Sequence, residues 1–338
     1  MFKKLEIGTF FSQRGILNWL LLPLSWLYCV GFFMAFYLSK FLTKRATCPV
    51  ICVGNVLVGG VGKTPVSLAI AKILQKDGKR VAFLSRGYGG TLSSYHKVVK
   101  VNTAQHLASS VGDEPILLSE VAPTYICTDR YKAAEEAMQE GSEVLIMDDG
   151  MQNNTLYKNY NLLVIDGSYF IGNGLLLPAG PMREPLSHAL RRTDMVIIVG
   201  STEQNYRIAN LLKRHNFEGV VSYATAHIAM PAIVRDLGKC LLFTGIARPE
   251  RVLNMLKEFN IRVEQHFSYA DHHQFTVGEI EQAISYAKKS SLPIVTTAKD
   301  FVKIPIHFRA NFLVLEYGVH LDEKEILKRI NATVHYTA

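Results

Sequence analysis

Nothing in the 338-residue sequence supplies a covalent staple. The five cysteines, Cys29, Cys48, Cys52, Cys127 and Cys240, are odd in number and never spaced C-x-x-C. That excludes a disulfide framework or zinc knuckle and favours a reducing compartment. There is no Gly-X-Y period, no Gln/Asn tract, no Ser/Pro stalk and no fixed repeat, so fibrous, low-complexity and solenoid classes fall away. No basic stripe interleaved with aromatics lies outside the N-terminal region, and nucleic acid is not an expected partner. What is present is a globular composition, 49% hydrophobic and 20% charged, long enough for about two domains. Lys plus Arg number 37 against 29 Asp plus Glu, a net +8 that suits phosphates or anionic lipid.

Charge is missing altogether from residues 15–39, GILNWLLLPLSWLYCVGFFMAFYLS. As a helix this run exceeds the ~30 Å hydrocarbon core of a bilayer. Both tryptophans of the chain, Trp19 and Trp26, lie in it with Tyr28, Phe32, Phe33, Phe36 and Tyr37, the residue types of a membrane interface. Its length and the lack of a small-residue cleavage site argue against a secretory signal. Lys3, Lys4 and Arg14 before it and Lys40, Lys44 and Arg45 after it give no positive-inside asymmetry, which suits a monotopic anchor. Pro23 and Gly31 permit a bent helix entering one leaflet. A hairpin buried against the rest of the chain is the alternative.

Beyond Pro49 short apolar runs alternate with helical stretches. Strands are expected near 51–54, 80–85, 125–127, 144–147, 162–165, 196–199 and 220–223, with a helix over 65–77. After about Thr225 the rhythm restarts with CLLFTGI at 240–246, helices near 249–259 and 277–289, then PIVTTA and NFLVLEY. The pattern predicts an α/β fold of P-loop NTPase type: a mostly parallel sheet with helices on both faces, an N-terminal membrane helix and a smaller C-terminal α/β domain. The expected division is 1–45 for the membrane-associated helix, 46–225 for the P-loop domain and 226–338 for the smaller domain.

The sharpest chemical signal is VICVGNVLVGGVGKTPVSLAIAKIL, a buried strand running through a glycine loop into an amphipathic helix. Gly59, Gly60, Val61, Gly62, Lys63, Thr64 and Pro65 form the expected nucleotide-binding loop. Its glycines let backbone N–H groups converge on phosphate oxygens, Lys63 reaches the β and γ phosphates, and the Thr64 hydroxyl ligates Mg²⁺. The strict Walker pattern has a first glycine where this chain has Leu57. EVLIMDDGMQN supplies the acidic strand end such a site needs. Adjacent carboxylates on a strand point to opposite faces, so Asp148 and Asp149 divide the work, one on the metal and one on the loop or substrate.

In order along the chain stand GN-x-x-x-GG-x-GKTP at 54–65, SRGYGG at 85–90, VGDEP at 111–115, DDGMQ at 148–152, GPMREPL at 180–186, TGIARPERV at 244–252, ADHH at 270–273 and TTAKD at 296–300. With these the chain resembles the tetraacyldisaccharide 4'-kinase family of lipid A synthesis, which also lacks the first Walker glycine and often has Phe where this chain has Met151. The resemblance implies ATP-dependent phosphorylation of the 4'-hydroxyl of a tetraacyldisaccharide 1-phosphate, giving the bis-phosphorylated lipid A precursor lipid IVA, with ATP and Mg²⁺ as cofactors. It also implies Asp113 as the base and His272 as its partner, carried over by motif position, with His273 adjacent. Catalysis is thus assigned to Asp113, His272, Lys63 and Asp149, and the metal to Thr64, Asp148 and Glu184.

Arg86 follows the second strand, at the P-loop edge of such a sheet, and is placed with Glu114 and Arg183 as substrate-binding. A four-chain lipid leaves the bilayer only at ~0.8 kcal/mol per CH₂, so the membrane surface joins the lipid substrate as a partner, and no obligate protein partner is implied. ATP as donor and lipid A as product place the enzyme on the cytoplasmic face of a Gram-negative inner membrane, held by residues 15–39. The rival reading, a P-loop GTPase or metallochaperone switch, needs a guanine-reading N-K-x-D. TTAKD lacks its spacing.

Overall fold

The computed structural model describes residues 7–60, 62–94, 97–229, 234 and 237–334. In chain order, α1 (Ile7–Ser12), α2 (Ile16–Leu20) and α3 (Leu22–Lys40) precede β1 (Val50–Gly54), α4 (Lys63–Lys76), β2 (Val81–Ser85), β3 (Val99–Lys100), α5 (Ala108–Val111), α6 (Asp113–Ser119) and β4 (Thr124–Ile126). There follow α7 (Arg130–Gln139), β5 (Val144–Asp148), β6 (Tyr160–Asp166), α8 (Leu186–Leu190), β7 (Met195–Val199), α9 (Thr202–Arg214) and β8 (Val220–Ala229). The later strands are β9 (Lys239–Thr244), β10 (Arg262–Ser268), β11 (Ile294–Thr297) and β12 (Phe312–His320).

The chain forms two compact units, both discontinuous in sequence. Unit 1 is Met1–Ser85, Asp129–Thr225 and Val319–Ala338, and unit 2 is Arg86–Thr128 and Ala226–Gly318. The contiguous division at 225/226 is therefore corrected, and so is the separate segment 1–45. Packing, which no linker composition announces, draws the boundary. Val101, Ala108, Val111, Ile116 and Ile126 share one core with Val302. At the other end of the chain, the helix Glu323–Val334 packs on α4, where Lys76 Nζ meets Glu323 at 2.6 Å.

Unit 1 is built on parallel strands in the order β8-β7-β6-β1-β5-β2. Every residue of β1, β2, β5 and β7 is buried, as expected where helices cover both faces of a parallel sheet. On one face Leu163, Ile165, Val196 and Ile198 pack against Leu186, Leu190, Ile208 and Leu212 of α8 and α9. Ser201 and Gln204 start α9 with a reciprocal capping box. Register matters for function, because Val53 of β1 pairs with Asp148 of β5, setting the acidic strand end beside the start of the glycine loop.

The N-terminal run is two helices rather than one. It breaks at Leu21, just before Pro23 in the first turn of α3, while Gly31 lies within α3 without interrupting it. One side is docked on unit 1. Asn18 Nδ2 donates to the Ala179 carbonyl at 2.7 Å, Ser25 Oγ to Leu176 at 3.0 Å and Tyr28 Oη to Arg183 at 2.8 Å. Phe36 is buried with the His188 ring 4.7 Å away and the Arg192 guanidinium 4.6 Å over its face. The opposite side exposes Trp19, Leu20, Leu24, Trp26, Leu27, Val30, Met34, Leu38, Phe41 and Leu42.

Unit 2 holds the parallel strands β10-β9-β11-β12 and the antiparallel pair β3–β4. Phe243, Leu241 and Ile294 meet Ile280, Ala283 and Ala287 of the helix Val277–Ser290 in its core. That helix begins with the capping box of Thr276 and Glu279. Strand β10, RVEQHFS, escaped the sequence reading: an edge strand with alternating polar residues has no continuous apolar run to mark it.

Candidate functional site

In unit 1 the glycine loop leaves β1 and turns into α4 with Gly59 at φ 93° and Gly62 at φ 84°. Gly62 caps the helix in the left-handed region, where a side chain would be strained, so glycine is the residue that lets α4 start beside the loop. Lys63, Thr64 and Pro65 form the first turn of this 14-residue helix, whose free N–H groups and dipole favour phosphate. Gly60 lies in the loop, and Val61 falls outside the described residues.

The two adjacent aspartates part at the end of β5, where Asp148 is the last strand residue and Asp149 begins the turn. Asp148 accepts hydrogen bonds from Thr64 Oγ1 at 3.1 Å and Ser67 Oγ at 2.7 Å. Asp149 turns the other way, in a left-handed conformation (φ 53°), with Lys63 Nζ at 3.5 Å and Arg183 Nη1 at 2.9 and 3.1 Å from its oxygens. Burial pushes the Asp149 carboxyl up, but the charges of Lys63 and Arg183 outweigh it and hold the group below the ordinary carboxylate range. Two backbone hydrogen bonds bring Arg183 there, from Val58 N–H to the Pro181 carbonyl and from Arg183 N–H to that of Val56. Lys63 Nζ also reaches Asn55 Oδ1 at 3.4 Å.

Glu184 does not join the Thr64–Asp148 pair. It is fully buried, with His188 Nδ1 at 2.6 Å, Gln152 Nε2 at 2.9 Å and the Arg192 guanidinium on its two oxygens. The structure therefore does not bring Glu184 to the pair expected to hold the metal; His188, Gln152 and Arg192 occupy its surroundings instead. Gln152 in turn accepts from Arg183 Nη1 and donates to the Asn55 carbonyl, so Glu184 acts on the loop indirectly. Arg183, expected on substrate, is here the clamp on Asp149. Among the described residues no group of three or more His, Cys, Asp or Glu is arranged to hold a metal. Thr64, Ser67 and Asp148 offer a hydroxyl and carboxylate set, the hard-oxygen chemistry that suits Mg²⁺ held jointly with phosphates.

Unit 2 carries a second constellation. Gly112, at φ 95°, precedes Asp113, and a Cβ there would meet the Tyr88 carbonyl oxygen at 2.7 Å. This left-handed step aims Asp113, 3% exposed, into a cluster of charges. His272 Nδ1 is 3.1 Å from Asp113 Oδ1, while Asp113 Oδ2 has no hydrogen-bond donor and sees Lys299 Nζ only at 3.7 Å. Burial would raise Asp113, yet the His272 hydrogen bond and the Lys299 charge keep it below the ordinary value of 3.8. For His272 the Asp113 hydrogen bond dominates and raises it above 6.5, against burial and Lys299. The geometry separates the two histidines, because His273 is held by Glu279 at 3.0 Å and stacks on Tyr269, its ring centroid 4.9 Å away.

Glu114 pairs with Lys299 at 3.6 Å, and Asp271 with the same ammonium at 3.3 Å. Arg86 is exposed and pairs with no described residue. Sequence reasoning gave no role to Lys299, whose TTAKD motif entered as a mark of the family resemblance and as a rejected guanine reader, and missed Ser67, Asn55 and Gln152, single polar residues that no spacing rule singles out.

The family model described as Tetraacyldisaccharide-1-P 4'-kinase matches residues 17–335. The tetraacyldisaccharide 4'-kinase of Paramagnetospirillum magneticum is 38% identical over 319 residues, 94% of this chain and 95% of its own. That of Methylobacterium radiotolerans is 38% identical over 285 residues, covering 84% of this chain and 85% of the relative. The crystal structure of LpxK from Aquifex aeolicus in complex with ATP superposes with a TM-score of 0.73 at 26% identity, covering 94% of this chain and 100% of that one. The match spans both units and every motif of the two constellations. The chain therefore belongs to the tetraacyldisaccharide-1-P 4'-kinase family.

Proposed function

We infer that the chain transfers the γ-phosphoryl group of ATP to the 4'-hydroxyl of a tetraacyldisaccharide 1-phosphate, with the glycine loop binding ATP and Asp113 acting as the base. Family membership over nearly the whole chain carries the reaction. The unpartnered Oδ2 of Asp113 carries the assignment of the base, since a buried carboxylate oxygen lacking a donor can accept the proton of an alcohol. In the transfer the acceptor oxygen bonds to the γ-phosphorus as the bond to the β-γ bridging oxygen breaks. ADP leaves, and the hydroxyl proton passes to the Asp113–His272 pair.

Gly59, Gly60, Gly62, Lys63, Thr64 and Pro65 cradle the phosphates, with Lys63 kept from free motion by Asn55 and Asp149. Thr64 and Asp148 would hold Mg²⁺, which would supply positive charge against the developing phosphoryl charge. Asp149 orients Lys63 and Arg183 toward the developing charge. Arg86, exposed and without a pairing among the described residues, takes an anionic part of the lipid, and Glu114 borders the base through Lys299.

The membrane reading rests on α2 and α3. A spanning helix needs apolar sides all round, whereas this one commits Asn18, Ser25 and Tyr28 to carbonyls of unit 1 and bares the other side. We place the helix in the cytoplasmic leaflet of a Gram-negative inner membrane, beside the headgroups of a substrate that cannot leave the bilayer. The test is phosphate position: with ATP and the tetraacyl acceptor in detergent, NMR of the product should show a new ester at the 4' carbon. A phosphate elsewhere on the disaccharide, or equal turnover with GTP and a soluble sugar, overturns the reading.

A further inference from the structure

Lys299 stands at the centre of the charges in unit 2 and has no part in the mechanism so far. It opens the short helix Ala298–Phe301, whose Thr297 cap is fixed by accepting from Asp300 N–H. Its ammonium lies 3.3 Å from Asp271 Oδ1, 3.6 Å from Glu114 Oε1, 3.7 Å from Asp113 Oδ2 and 3.3 Å from His272 Nε2. The last contact is the informative one. An ammonium has donors and no acceptor, so a hydrogen bond to Nε2 requires a lone pair on that nitrogen. In the neutral ring the proton then resides on Nδ1, the nitrogen facing Asp113 Oδ1 at 3.1 Å.

We propose that Lys299 is a positioning residue that selects the Nδ1–H tautomer of His272, so that His272 donates to Asp113 Oδ1 and leaves Oδ2 as the site that receives the substrate proton. The inference rests on the reading of Asp113 and His272 as the base pair. The groups facing the histidine are Asp113 from α6, Asp271 from its own loop at 3.7 Å, Lys299, and the ring edge of Tyr88 at 5.4 Å between centroids. Glu114 faces Lys299, and Lys303 adds a positive charge near Asp113. Lys299 is thus the cation shared by three carboxylates and the imidazole. Burial works against its own charge, but Glu114, Asp113 and Asp271 outweigh it and raise the ammonium above the ordinary lysine range, so it stays a donor throughout the working pH.

Removing this cation takes away an influence that lowers both Asp113 and His272. In Lys299→Met the acid limb of the kcat/KM profile should therefore move to higher pH. In Asp271→Asn, which removes a charge that raises His272, the limb should move to lower pH. A role in stability alone predicts no opposed movement. We expect kcat of Lys299→Met to fall on the order of 10²-fold through misorientation of the base, with the KM for ATP within about twofold. Lys299→Arg, which keeps the charge, should retain the limb position and recover part of kcat. Nitrogen NMR of histidine-labelled protein at a pH where the His272 ring is neutral, assigned by difference with His272→Gln, should show an unprotonated Nε2 in the parent and its loss in Lys299→Met.

Should Lys299→Met fail to fold, Lys299→Met with Asp271→Asn removes one charge of each sign, and the same tautomer change is expected there. Normal turnover in Asp113→Asn and His272→Gln would defeat the base reading itself. If those two are crippled while Lys299→Met keeps the parental kcat, pH limb and histidine tautomer, the base reading stands and the inference about Lys299 is wrong.

Discussion

Replacing Asp149 with asparagine isolates the charge that binds the P-loop lysine to Arg183. Asparagine tolerates the left-handed backbone of this position (φ 53°), so the turn after β5 is preserved and the substitution acts through charge. Lys63 loses a partner at 3.5 Å, and Arg183 loses contacts at 2.9 and 3.1 Å. Because Asp149 is 30% and Arg183 25% exposed, water recovers part of the loss, and a stability cost of about 1–2 kcal/mol follows. The catalytic cost is larger. A misdirected Lys63 withdraws one electrostatic contact from the transferring phosphoryl group, which amounts to roughly 10²-fold in kcat, about 2.7 kcal/mol. Steady-state transfer of labelled phosphate, with ATP affinity measured separately, reads both quantities. The companion variant Arg183→Met should show a non-additive double-mutant cycle with Asp149→Asn, since both remove one interaction. Additive losses, or a kcat within threefold of the parent, would refute the claim that Asp149 works through Lys63 and Arg183.

Other consequences can be checked in the same preparations. Gly112→Ala forces a side chain into a φ of 95° and against the Tyr88 carbonyl, so it should cost about 1–3 kcal/mol in urea denaturation and lower kcat by displacing Asp113. The pH dependence of stability carries a signature of the base pair. Asp113, depressed below 3.8, contributes stability that is present above 3.8 and lost as pH falls through its folded value; His272, raised above 6.5, contributes below 6.5 and loses it as pH rises through its folded value. The denaturation midpoints of parent and Asp113→Asn should therefore differ most between pH 3.8 and 6.5, narrow above that as the His272 part is lost, and converge on the acid side as Asp113 is protonated. Trp26→Glu with Leu27→Glu charges the exposed side of α3 and should abolish co-sedimentation with anionic vesicles while leaving ATP affinity unchanged.

Much of this arrangement was legible in the chain because chemistry with strict geometric needs leaves local marks. A strand, glycines and Lys-Thr must be contiguous to make a phosphate loop, and they are found so at β1 and α4. That Asp148 and Asp149 would separate was expected, but the cause is local: β5 ends at Asp148, and the left-handed turn at Asp149 sends the second carboxylate toward Arg183. What escaped depends on packing between distant segments. Glu184 reads in the sequence as a candidate metal ligand, but its surroundings are set by His188 one helical turn on and by Gln152, 32 residues earlier. Lys299 meets Asp113 across 186 residues, a juxtaposition no spacing rule anticipates. The unit boundaries were hidden for a related reason, since 86–128 and 319–338 change units without any shift in composition.

The most direct test is single-turnover phosphoryl transfer from ATP to the tetraacyl disaccharide 1-phosphate by the parent and by Asp113→Asn, each loaded with nucleotide. The account predicts a 4'-phosphorylated lipid from the parent. It also predicts undiminished ATP binding by the variant, with transfer slowed about 10²–10⁴-fold. Transfer at the parental rate by Asp113→Asn would contradict the assignment of the base in unit 2, and no 4'-phosphate from the nucleotide-bound parent would contradict the kinase itself.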